Sequence, residues 1–293
     1  MYTAVDANKR NTVIIMAVFL LLIGGLGALA GYLAGDITPS IIIISAAFIY
    51  TLIQYFSASR LAMAVNGGHE IQKKDAPELY RIVENLTITT GMPMPKVYII
   101  QDSAPNAFAT GRDPKHAMVA VTTGLLEIMS KREVEAVMAH EVSHIRNYDI
   151  RVSMITFGLV SAIGLIADIL IRIAFSSGRG RKSNSGGAYL MIIGLAAYVI
   201  AVLIAPLIQM AISRQREYLA DASGALAIRD PEGLAMALEK LKTAGRPMER
   251  QNSSTAHLFF SNPMKSGFLS KLFSTHPPLD DRIARLKNNA NRM

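Results

Sequence analysis

The chain has no cysteine in its 293 residues. That excludes disulfides and thiolate ligands, so any zinc site has to be built from His, Asp or Glu. It does not identify a cellular compartment. Charge is scarce as well: 18% of residues are charged against 51% hydrophobic, and mean hydropathy is positive. The net charge of +8 is spread among the flanks of apolar runs. No basic stripe interleaved with aromatics is present, which argues against nucleic acid as a partner. Cationic flanks meeting anionic lipid headgroups account for the excess more simply. There is no internal repeat.

What the chain has instead is long apolar runs. Asn11 to Gly35 carries no charge, and neither does Ile37 to Ser59. Each is long enough to cross a hydrocarbon core of about 30 Å at about 1.5 Å per residue. Ser183 to Ser213 is a third charge-free run, and Val152–Ile171 is a weaker one, interrupted by Asp168 and closed by Arg172. The first run is too long for a signal-peptide core and a second follows at once across Gly35-Asp36, which favours a retained hairpin. The expected fold is therefore mainly α and integral to a membrane. It has four apolar helices and a mostly helical soluble domain with a small β-sheet, formed from two separated sequence segments. Residues 1–59 would be an N-terminal transmembrane hairpin, 60–151 a soluble lobe, 152–212 the third and fourth membrane segments, and 213–293 a C-terminal lobe.

Within the lobes the local signals are clear. Ala76–Thr90 has helical spacing, with Pro77 near its start and Gly91 at its end. Lys96–Ile100 and Ala117–Thr122 read as short strands, with Asn106–Ala109 as a candidate edge strand between them. Ser130 followed by Glu133 is a capping-box pattern. The helix that starts there meets no Gly or Pro until Gly158 and is expected to run on into the third apolar segment. Further helices are expected over 214–228 and 231–242, and a last one after His276-Pro277-Pro278.

The richest stretch lies on the Ser130 helix: His140-Glu141-Val142-Ser143-His144. Positions i and i+4 share one helix face, so both imidazoles can reach one metal ion. Glu141 can then act as general base on water held by that ion. A tetrahedral site still needs another protein ligand. The extended pattern with a third histidine fails, because positions 147 and 150 are Asn147 and Ile150, and no Glu occurs between 141 and 217. Glu217 is the first available, and it shares a helix face with Asp221. Glu217 is thus the candidate third ligand, with Asp221 placed to orient a ligand histidine through a hydrogen bond. Both motifs must lie on one side of the membrane, so an even number of crossings separates them.

These residues resemble the HtpX-type membrane metalloproteases, gluzincins related to the type I CAAX prenyl proteases, and the resemblance spans essentially the whole chain. It rests on the apolar hairpin, the histidine motif before the third apolar segment and the Glu-x-x-x-Asp motif after the fourth. Two further motifs match: Asn106-Ala107-Phe108-Ala109 resembles the family's substrate-facing strand. Thr275-His276-Pro277-Pro278, with Arg282 beyond it, resembles the C-terminal His-Pro motif. The resemblance implies a zinc endopeptidase of membrane-protein quality control in a bacterial inner membrane, multi-pass, with a cytoplasmic active site and one Zn2+ per subunit. His140, His144 and Glu217 would be its ligands and Glu141 its base. His276 would be an oxyanion donor, Arg282, like Asp221, a residue supporting the ligands, and Asn106, Ala107 and Phe108 the substrate-binding positions. Its partners would be unfolded or misfolded proteins and membrane lipid, with the oligomeric state open. Lys9 and Arg10 before the first run place the N-terminus and both lobes inside, although Arg179, Arg181 and Lys182 sit in the connector that this topology exports. Two other readings are a zinc-binding membrane scaffold without turnover and a transporter using Asp168 and Arg172.

Overall fold

The computed structural model describes residues 2–155, 192, 194–195, 205–250, 258–261 and 277–290. The chain forms two compact units. One comprises Met1–Lys9, Ala58–Met154 and Met210–Met293; the other comprises Arg10–Ser57 and Ile155–Gln209.

The second unit is built from most of α1 (Tyr2–Ala34) and α2 (Thr38–Val65). Gly35, at φ 66°, closes α1 and the chain reverses through Asp36, whose carboxylate accepts from the Thr38 backbone and hydroxyl. The helices approach closely where α1 carries glycines: the Ser40 hydroxyl donates to the Gly27 carbonyl at 2.7 Å, and a Cβ on Gly31 would collide with it. Val5–Leu29 and Ser40–Val65 are long and apolar enough to cross a membrane, and Leu21, Ile42 and Ile53 point outward from the unit. Outward apolar side chains along whole helices suit lipid and would be costly in water. Most of the third and fourth apolar segments, with Asp168 and Arg172, lies outside the described residues.

The first unit carries a four-stranded sheet of β1 (Gly68–Ile71), β2 (Lys96–Ile100), β3 (Ala107–Thr110) and β4 (Met118–Thr122), ordered β1-β2-β4-β3. β2 and β4 run parallel and the outer pairs are antiparallel, with Phe108 opposite Ala120. β1, whose His-Glu pair is exposed, gave no sequence signal strong enough to be read as a strand. α3 (Pro77–Thr90) buries Leu79, Ile82, Val83 and Leu86, an i, i+3, i+4, i+7 stripe, against the sheet and α5. Its C-cap is Gly91 in the left-handed region at φ 67°. α4 (Thr123–Ile128) follows β4, and α5 (Lys131–Arg146) starts on the full Ser130/Glu133 capping box. α6 (Ala205–Ile228), α7 (Pro231–Ala244) and α8 (Leu279–Ala290) complete the unit, with Leu234, Leu238 and Leu241 of α7 packed in the core beside Val137 and Ile283. The other sheet face is covered by Met63, Met248 and Phe259 against Phe108 and Ala120.

One expectation is overturned. α5 does not continue into the third apolar segment: it ends at Arg146, and helix resumes only at residue 149. The break falls at Asn147-Tyr148, where Tyr148 adopts φ 62°. Neither residue is a helix breaker by type, so nothing local announces the turn; its partners are tertiary.

Candidate metal centre

α5 contributes His140, Glu141 and His144 from its buried face, and α6 contributes Glu217 and Asp221 one turn apart. Gly224, further along the same face of α6, explains how the two helices meet. A Cβ there would stand 2.9 Å from the His140 backbone nitrogen and 3.0 Å from the Ala139 carbonyl carbon. Only a residue without a side chain lets α6 lie directly on the α5 backbone at the first histidine.

The ligand atoms of His140, His144 and Glu217 lie within 4.8 Å of one another. The two Nε2 atoms are 3.0 Å apart; His140 Nε2 is 3.7 Å from Glu217 Oε2, and His144 Nε2 is 3.4 Å from Glu217 Oε1. Donors about 2.0–2.1 Å from a tetrahedral zinc stand roughly 3.3–3.4 Å from each other, so the triangle already has the size of three tetrahedral corners. The second nitrogen of each ring faces a carboxylate: His140 Nδ1 is 2.9 Å from Asp221 and His144 Nδ1 is 3.0 Å from Asp149. Those contacts favour the Nδ1–H tautomer, which aims both Nε2 lone pairs at the Glu217 carboxylate. Three electron-rich atoms facing one point favour a cation there, and the residues present fit zinc.

The electrostatics agree. Burial pushes His140 down to about 4 against the pull of Asp221, so its ring is neutral, the form a metal would need. Burial also opposes charge on His144, but Asp149 and Glu217 outweigh it and hold its pKa well above the ordinary value, a sign that this locus favours positive charge. Burial pushes the Glu141 carboxyl up to about 7, although the Ala109 backbone N–H hydrogen-bonds it and works the other way. Burial would raise Asp221, yet Arg282 and His140 bring it down to about 2.

Arg282 sits at the heart of this cluster with no exposed surface. Its Nε and Nη2 donate to the two Asp221 oxygens at 2.8 and 2.7 Å, and Nη1 lies 3.4 Å from Glu217. The fork fits a carboxylate bidentately, which a lysine ammonium cannot do. α8 presents it: the Pro278 carbonyl accepts from the Arg282 N–H at 3.2 Å. His276, two residues before Pro278, lies outside the described residues.

Asn106 sits beside the edge of β3 and holds a segment of its own chain. Its Nδ2 donates to the Ser261 carbonyl at 2.8 Å, and its Oδ1 accepts from the Ser261 N–H at 3.0 Å. Phe260 N–H donates to the Ala107 carbonyl at 2.7 Å, and Phe108 bridges Phe259 in antiparallel sense. Residues 258–261 thus stand along the outer edge of β3 where the sequence suggested a substrate strand. Phe260 meets the His140 ring at 4.8 Å between centroids and lies under Arg282 at 4.9 Å. A small cleft opens beside them, lined by His140, Glu141, His144, Glu217, Arg216 and Leu258 among others.

Two participants escaped the sequence reading. Phe260 is separated from His140 by more than a hundred residues and no spacing links them. Asp149 is five residues past His144, a distance that on an unbroken helix points away from it.

Residues 73–290 match peptidase family M48. A protease HtpX homolog of Tropheryma whipplei (strain Twist) is 53% identical over 292 residues, covering 100% of this chain and 99% of the relative. Homologs so named in Streptococcus gordonii and Lactobacillus helveticus are each 43% identical, covering 98% of this chain and 99% of theirs. The crystal structure of S. mikatae Ste24p superposes with a TM-score of 0.55 over 98% of this chain and 67% of that one, at 19% identity, and so shares the fold. The metal triangle, a match over most of the chain and full-length relatives with the same element of chemistry in their name agree on one assignment: this chain belongs to peptidase family M48 and is a metalloprotease.

Proposed function

We propose that the chain is a membrane-bound zinc endopeptidase of protein quality control that cleaves unfolded or damaged proteins, with its site on the cytoplasmic side of a bacterial plasma membrane. The observation that carries the reading is the convergence of His140, His144 and Glu217 on one point, with the buried Glu141 carboxyl on the same helix. These three would hold one zinc ion, which when bound supplies Lewis-acid polarisation of the scissile carbonyl and acidifies water.

Glu141 carries the proton. Burial holds its carboxyl near 7 and a bound cation would draw it lower, so its ionised form would be available at neutral pH to take the proton of the attacking water. The same carboxyl then delivers that proton to the departing amide nitrogen. Asp221 orients His140, and Arg282 keeps Asp221 ionised. His276 is proposed as the donor to the developing oxyanion. A substrate segment would bind extended along β3 at Asn106, Ala107 and Phe108, in the place of residues 258–261. Mainchain pairing of that kind gives broad specificity, as unfolded substrates require.

The test is cleavage of an unfolded protein by the detergent-purified chain, stripped of metal and then given zinc, beside Glu141→Gln. Zinc-dependent cleavage by the wild type alone is expected. Zinc binding without turnover in both proteins would replace the reading with a metal-binding scaffold.

A further inference from the structure

We propose that Asp149 is a positioning residue for His144, and that Asn8 and Lys9 at the start of α1 hold it in place, so that the N-terminal segment is part of the metal centre's support. The inference rests on the reading of His140, His144 and Glu217 as zinc ligands.

The starting point is the break after α5. At roughly 100° per residue, position i+5 of a continuous helix lies about 140° around the axis from position i, so Asp149 on an unbroken α5 would face away from His144. The left-handed turn at Tyr148 (φ 62°) ends the helix and brings Asp149 back to 3.0 Å from His144 Nδ1. A tyrosine pays for that conformation in steric strain, so neighbouring structure has to hold it. Asn8 does so with a single amide: its Nδ2 donates to Asp149 Oδ1 at 2.7 Å and to the Asn147 carbonyl at 2.8 Å. Lys9 and Arg151 each lie 4.9 Å from the centre of the Tyr148 ring. Asn8 and Asp149 are both buried, at 5% and 3% exposure.

Both carboxylate oxygens of Asp149 are thus committed, one to the ligand histidine and one to the N-terminal segment. The two ligand imidazoles have separate supports. His140 is oriented by Asp221, reached across the fold and backed by Arg282; His144 is oriented by Asp149, reached through the turn and backed by Asn8. A carboxylate behind a ligand histidine fixes its tautomer and ring angle, and its loss typically weakens metal binding about 10–100-fold. Displacing the start of α1 would carry to His144 by the same contacts.

The experiment uses the full chain in detergent and measures zinc affinity by competition with a chromophoric chelator, together with the visible spectrum of the cobalt-loaded protein. Asp149→Ala is expected to weaken zinc binding about 10–100-fold and to alter the cobalt bands, which report ligand geometry. Asp149→Asn, whose amide oxygen still accepts from Nδ1–H, should recover part of that loss. Asn8→Ala, which leaves every site residue in place, should weaken binding several-fold and shift the cobalt bands in the same sense as Asp149→Ala, a signature that a loss of stability alone would not produce. Glu217→Ala is the control for the underlying reading: if it keeps zinc, the ligand assignment itself fails. If Glu217→Ala loses zinc while Asn8→Ala and a folded Asp149→Ala retain wild-type affinity and an unchanged cobalt spectrum, the positioning role is overturned. Should Asp149→Ala not fold, Asn8→Ala and Asp149→Asn decide by the same two readouts.

Discussion

Gly224 lies against the backbone of His140 so closely that a Cβ at this position would stand 2.9 Å from the His140 nitrogen. The obstructing atoms are mainchain, which cannot rotate aside. Gly224→Ala is therefore expected to push α6 away from α5 and destabilise the fold by about 1–3 kcal/mol. Because Glu217 rides on α6, zinc affinity should fall with stability. Urea unfolding and chelator competition on the same preparation measure both; a variant with unchanged affinity would show that the helix contact does not set the triangle.

Arg282 and Asp221 form a buried pair in which neither charge has an outlet to water. Removing one member leaves the other uncompensated, so Arg282→Met should cost about 3–5 kcal/mol. Arg282→Lys should rescue only part, since an ammonium cannot span both oxygens. Denaturant midpoints of the three proteins, with zinc removed, would check the order wild type, Lys, Met.

Glu133 closes the capping box of α5 and accepts from Lys240 Nζ at 2.6 Å. Burial raises its pKa, but Lys240 and Ser130 outweigh that, and the net shift is downward. A carboxyl with a lowered folded-state pKa contributes stability above its unfolded value and loses it as pH falls through the folded one. Glu133→Gln keeps a capping partner but not the charge, and should cost about 1–2 kcal/mol at pH 7. The gap between the two proteins should shrink as pH drops below the unfolded carboxyl range; a gap that persists in acid would show that the charge is not the source.

Residues 258–261 share the outer edge of β3 with the proposed substrate strand. Ser261→Pro removes the N–H that donates to Asn106 and leaves Phe260 against His140. One such bond is worth about 1 kcal/mol, so KM for an unfolded substrate should fall about fivefold with kcat little changed. A rise in KM would mean that the segment helps to hold substrate rather than competing with it.

The parts of this protein that were legible in the sequence are those decided by short-range periodicity. Two histidines four apart share a helix face whatever the helix packs on, and a charge-free run long enough to span a bilayer is apolar in any fold. Ser130 and Glu133 cap because they sit three residues apart, and Leu79, Ile82, Val83 and Leu86 form a stripe because 3.6 residues make a turn. Elimination among scarce acidic residues pointed to Glu217, and helix spacing carried Asp221 with it.

Other features follow from contacts that no spacing encodes. Arg282 was marked by a motif, but its burial between Asp221 and Glu217 depends on where α8 docks. Asp149 faces His144 only because Tyr148 leaves the helix, and a tyrosine does so only when Asn8 and Lys9, some 140 residues earlier in the chain, hold the turn. The bridge from Phe259 to Phe108 on β3 likewise exists through pairing across the fold. Local sequence thus determined which helix faces His140, His144, Glu217 and Asp221 share; tertiary packing decided what stands behind and in front of them, because a left-handed turn or a bridged segment is stable only with its distant partners in place.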